Sequence, residues 1–142
     1  MIPQAQKVID KSKGDCFRAC MASFLELPND ERLPDGYESV TPWNEWLAKF
    51  GMTLGWDRAA IWRQSYWIAS VKSKNYNDGT THAIIMNGIQ VAFDPSTKKK
   101  YRKGLYMLGT DMVLGGWWLE VVNPNLLYKF EQYKQFSKKR EK

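Results

Sequence analysis

The sequence predicts an α+β domain, and three observations predict it. Two helix patterns come first, both before Met52. Apolar, aromatic and β-branched runs follow, with turn residues between them. Two of those runs flank Asn87-Gly88, the strongest short hairpin signal. Helices first and antiparallel strands second is the α+β order.

Each element has its own justification. Asp15 is a good N-cap residue, and the chain from Cys16 to about Leu27 reads as helix. Phe17, Cys20, Met21 and Phe24 follow the i, i+3, i+4, i+7 spacing of a buried face. Pro28 stops the pattern. "PNDERLPDGYESV" is polar and reads as a loop. In "TPWNEWLAKFG", Thr41 is the expected cap, Pro42 the first helical residue and Gly51 the C-terminal cap. Trp43, Trp46, Leu47 and Phe50 form its apolar stripe. Strands are expected at 52–56, 66–71 and 115–122, with the hairpin over "THAIIMNGIQVAFDP". A short helix is expected between Arg58 and Gln64. From Asn125 a helix with a partial stripe of Leu127, Phe130, Tyr133 and Lys134 is expected.

A chain of 142 residues fits one domain with a core of its own. Hydrophobic residues make up 44% and charged residues 25%, the balance of an ordinary globular protein. The net charge is +6. Residues 123–142 hold six Lys or Arg against two Glu, so this basic tail carries +4 of it and is set apart from a domain over 1–122. "KKKYRK", Lys98 to Lys103, is a second basic cluster. No nucleic-acid motif accompanies either, so both read as solvated and a nucleic-acid partner is not expected. The two cysteines lie one helical turn apart, too close on one helix for a disulfide framework. With one histidine elsewhere they also lack the ligand count for zinc. No metal or cofactor is expected. A reducing cytoplasm is the expected compartment. The start "MIPQAQKVIDKSKGD" lacks the apolar core of a secretory signal, and no apolar run has the length of a membrane span.

Candidate chemistry gathers at Cys16. A thiol at a helix N-terminus faces unpaired N–H groups and the positive end of the dipole, which favour the reactive thiolate. The same N–H groups suit an oxyanion. Cys20, one turn further, reads as packing. A cysteine nucleophile needs a base, and His82 is the one imidazole in the chain. It opens an apolar strand after the polar loop "KNYNDGT". Asp94 closes the next strand and is the candidate to orient that imidazole. A two-residue turn at Asn87-Gly88 would put His82 opposite Phe93. A three-residue loop or a bulge would put it opposite Asp94. For the oxyanion and substrate side the candidates are Gln6 or its near neighbour Gln4, between which the sequence does not choose, with Asp15 and Trp43. Taken singly, each of these residues reads as structural. Together, Cys at a helix start, His at a strand start and Asp at the next strand's end follow the chain order of papain-type catalysis.

"GDCFRACMASFLELP", "YWIASVKS" and "THAIIMNGIQVAFDPS" resemble a set of small phage and prophage proteins regarded as papain-like cysteine peptidases, distantly similar to the NlpC/P60 and C39 peptidases. The resemblance spans Gly14 to about Val122. It implies a papain-like fold in which the helix carrying the cysteine packs on an antiparallel sheet. It also implies that Cys16, His82 and Asp94 occupy the triad positions. Phe93 stands where many relatives carry a histidine. "NDERLPDGYESV" stands where relatives run into Val-Pro and an aromatic residue.

The function expected is a thiol hydrolase or acyl transferase acting on a peptide or other amide, phage-encoded and working in the host cytoplasm. The alternative is a catalytically silent binding module on the same fold, blocking a host protein or capturing a signalling molecule.

Overall fold

A computed structural model describes residues 16–30, 32–34, 39–58, 65–72, 81–93, 95 and 113–141. Among these residues it is a mixed α+β structure with three α-helices and a five-stranded antiparallel sheet.

Helix α1 spans Cys16–Leu25 and buries nearly its whole length. It ends before Pro28, in a Schellman turn. Leu27 N–H donates to Ala22 O at 2.9 Å and Glu26 N–H to Ser23 O at 3.3 Å. Glu26 occupies the left-handed position usually given to glycine, at φ 58°. Helix α2 spans Thr41–Ala48. Its start differs from the expectation. Thr41 is already helical, and Ser39 Oγ accepts its N–H at 3.0 Å. The cap position falls on Val40, whose side chain makes no capping bond, and the upstream Ser39 satisfies the Thr41 N–H instead.

The strands are β1 (Met52–Asp57), β2 (Tyr66–Lys72), β3 (Thr81–Asn87), β4 (Gln90–Phe93) and β5 (Val113–Val121). Their order is β1-β5-β2-β3-β4. Strands β2 to β4 form the expected meander, but β5 returns to fill the gap between β1 and β2. The short helix expected between Arg58 and Gln64 lies almost wholly outside the described residues.

The hairpin turn is displaced by one residue from the expected one. Asn87 still pairs, with Gln90, and the turn residues are Gly88 and Ile89. Gly88 has φ 61° while Ile89 keeps φ negative, the signature of a type II′ turn with glycine first. A bulge follows. Met86 faces Val91 but Ile85 faces Phe93, so Ala92 is the extra residue. Phe93 is thus opposite Ile85, not His82.

Alternation along the strands builds two cores. On one face Ile68, Ala83, Ile85 and Phe93 meet Phe17, Cys20 and Met21 of α1 and Trp43 and Leu47 of α2. On the other face Trp67, Ala69, Val71, Ile84, Met86 and Val91 form a second cluster. Strand β2 is buried on both faces, which is why "YWIASV" shows no polar alternation. Trp67 Nε1 donates to Gly88 O at 2.8 Å and ties this second core to the hairpin turn.

After a short 3-10 turn at Pro124–Leu126, helix α3 runs from Leu127 to Glu141. Phe130 enters the helix-side core and meets Phe50 edge-on, at 5.6 Å between ring centroids. Tyr133 packs edge-on against Trp46 at 5.4 Å. Lys134 Nζ reaches Glu26 Oε2 at 3.4 Å, joining α3 to the end of α1. The expected stripe of Leu127, Phe130, Tyr133 and Lys134 is the face that packs.

Gly51 joins α2 to β1 and also receives the end of β5. Its carbonyl accepts from Val122 N–H at 2.8 Å and Asn123 N–H at 3.0 Å. Its φ is +75°, and a Cβ there would lie 2.0 Å from Asn123 O. Gly51→Ala should therefore destabilise the fold by at least about 1–2 kcal/mol from the left-handed backbone, with the clash added. Urea denaturation reads this as a lower midpoint; an unchanged midpoint contradicts the assignment.

Candidate functional site

Cys16 is the first residue of α1 and is partly buried. It packs against the helix-side core. The next residue, Phe17, sits edge-on against Trp117 of β5, with centroids 5.0 Å apart. Trp117 in turn lies beside Trp56 of β1 at 4.5 Å. The mouth of α1 therefore opens beside an aromatic wall whose outer member, Trp56, is 46% exposed.

This wall depends on glycine. Trp56 lies across Gly115, where a Cβ would come within 2.2 Å of its ring. On the opposite face Trp118 covers Gly55, where a Cβ would come within 2.4 Å. The β1–β5 pair thus carries one indole on a glycine on each face, the arrangement that restores packing lost at glycine in a sheet. The "GGWW" run carried the signal, but a strand reading alone does not say that each glycine seats an indole.

His82 is partly exposed near the start of β3, paired with Val71 of β2. Directly paired residues share a face. Val71 belongs to the second core, with Ile84 and Met86 two and four residues beyond His82. Ala83 and Ile85, the alternate set, belong to the core that holds Cys16. The pleat therefore puts His82 and Cys16 on different faces of the sheet. Cys20 is fully buried within the helix-side core.

The other candidates fall as follows. Trp43 is fully buried in the helix-side core, edge-on to Trp46 at 5.4 Å. Its indole N–H has no hydrogen-bond partner among the described residues. Gln6, Asp15 and Asp94 lie outside the described residues. Among the described residues no three His, Cys, Asp or Glu side chains gather as a metal site. None of the described helices is long and apolar enough to cross a membrane.

A buried polar pair beside the cysteine escaped the sequence reading. Arg18, two residues along α1, is buried, and its Nε donates to buried Asn29 Oδ1 at 2.9 Å. This charge-assisted bond holds the chain after α1 against the helix. The clue lay in an arginine within an otherwise apolar helix.

No protein-family model matches the chain, and neither a curated protein nor a solved structure matches it.

The burial difference between the two cysteines has a direct consequence. A small alkylating reagent should modify Cys16 in the folded protein. Cys20 should wait for unfolding, which slows it by about 10³-fold or more. Peptide mapping after timed alkylation measures both rates; comparable rates would contradict the burial of Cys20.

Proposed function

We propose that the chain is a binding module that keeps elements resembling a papain-like hydrolase without a working thiol–imidazole pair. The observation that carries this reading is the pleat of β2 and β3. The chain has a single histidine, and His82 shares its face with Val71 and Ile84 while Cys16 packs among the residues of the other face. A base must come within hydrogen-bond reach of the thiol it serves. An imidazole across the sheet has the backbone of β3 between it and that thiol. The partner in this reading is a host protein or a captured small molecule, met at the aromatic wall of Trp56 and Trp117. The cell compartment is a reducing cytoplasm.

A second reading rests on a different observation. Cys16 opens α1 and is not sealed from solvent, so the helix terminus can favour a thiolate and hold an oxyanion. In that reading the protein is a phage-encoded thiol hydrolase or acyl transferase. Cys16 attacks the carbonyl of a peptide or other amide and forms the thioester. His82 takes the thiol proton and delivers it to the leaving amine. Asp94 orients His82, with Gln6 on the oxyanion side. Water or an acceptor amine then cleaves the thioester.

An electrophilic thiol probe separates the two. The binding reading predicts that Cys16 reacts at the same rate in the unaltered chain and in His82→Ala. A fall in rate of about tenfold or more in His82→Ala identifies the imidazole as the base and favours the hydrolase.

A further inference from the structure

Strand β1 lies at the edge of the sheet, and among the described residues it pairs with β5 alone. Two hydrogen bonds show which of its peptide groups point outward. Gly51 O accepts from Val122 N–H at 2.8 Å, so Gly51 is bonded on the β5 side. Leu54 N–H donates at 3.0 Å to Asn44 Oδ1, a side chain of α2, rather than to β5. Bonded and unbonded positions alternate along an antiparallel pair. Gly51, Thr53 and Gly55 therefore face β5, and Met52, Leu54 and Trp56 turn their N–H and C=O groups to the open edge. Asn44 fills that edge at Leu54 N–H. Leu54 C=O and both peptide groups of Trp56 lie past it, where the strand becomes exposed, and no described residue bonds to them.

We infer that this open half of the β1 edge takes an extended segment of another polypeptide as an added strand. The open groups are backbone donors and acceptors at strand spacing, and an extended peptide carries the matching set. Trp56 N–H donates to a carbonyl of the incoming strand, and Trp56 C=O and Leu54 C=O accept from two of its amides. The residue opposite Trp56 places its side chain on the face of the indole. That face is the wall of Trp56 and Trp117, so an apolar or aromatic side chain is selected there. A small molecule can meet the indoles but has no use for the edge. A second copy of this chain brings a like net charge of +6 and is repelled, where an uncharged or acidic segment is not. The inference rests on the binding reading above and makes its partner a protein segment.

A display library of random heptapeptides, selected on the full chain, supplies the probe. Amide hydrogen exchange by NMR then reads the edge directly. The Trp56 amide should exchange fast in the free protein and about tenfold or more slower with the selected peptide bound, while the Thr53 and Gly55 amides stay slow in both. N-methylation along the peptide should cost about tenfold in affinity at the two amides, two residues apart, that Trp56 and Leu54 accept, and little at the amide between them. This scan leaves the protein unaltered, so its outcome does not depend on how a variant folds. A library that yields no binder overturns the inference. So do methylation losses without the two-residue spacing. A peptide that binds without slowing the Trp56 amide overturns it too and leaves the binding reading in place, whereas a thiol rate that falls in His82→Ala removes that reading itself.

Discussion

The structure depends on the pleat of β2 and β3. These two strands pair along their full lengths, from Tyr66 opposite Asn87 to Lys72 opposite Thr81. Strand β2 is also paired on its other side, with β5. Because β2 is buried on both faces, its parity is fixed by two cores at once. A slip of one residue would put Trp67 into the space of Ile68 and drive Ile85 to the wrong side. Which side chains share a space follows from that parity. The helices all add to one face, and the second face is an apolar cluster of strand residues among the described part of the chain.

That parity also sets the faces on which the candidate site residues lie. Papain-type chemistry needs a thiol, an imidazole and an orienting group on one side of the chain. The thiol lies with the helix-side core, at the mouth of α1 beside Phe17, Trp117 and Trp56. The imidazole follows Val71 and Ile84 to the other face. The distinction is one of parity, so a single residue of register separates a dyad from two unrelated side chains. The aromatic wall beside Cys16 persists in either case, because Trp56 is seated on Gly115 and braced by Trp117.

Much of the fold was legible in the sequence, for local reasons. The stripe Phe17, Cys20, Met21 marked α1, and the stripe Trp43, Trp46, Leu47 marked α2. The runs that became β1, β2, β3 and β5 were apolar and bounded by turn residues. What escaped was non-local or a matter of one-residue offsets. Nothing in "GGWWLEVV" says that β5 inserts between β1 and β2, since that choice is made by packing between strands far apart in the chain, Tyr66–Lys72 and Val113–Val121. The Asn87-Gly88 dipeptide announced a turn but not its frame. Asn87 remained in the ladder because glycine alone suffices for the first position of a type II′ turn. The bulge at Ala92 then moved Phe93 opposite Ile85.

The candidate site was less legible than the fold. Cys16 at a helix start could be read from one segment, and the helix begins there. The face of His82 could not, because "HAIIM" is apolar at both parities and both faces of that strand are buried. Trp43 read as a possible lining residue and is fully buried in the core. Its stripe position on α2 supported that from the start. The most direct measurement of the central claim is an NMR titration of the single histidine in the unaltered chain and in Cys16→Ser. The separation of the two residues predicts superimposable titration curves. A displaced midpoint in Cys16→Ser would mean that sulfur and imidazole share one space, and the parity assigned to β3 would be wrong.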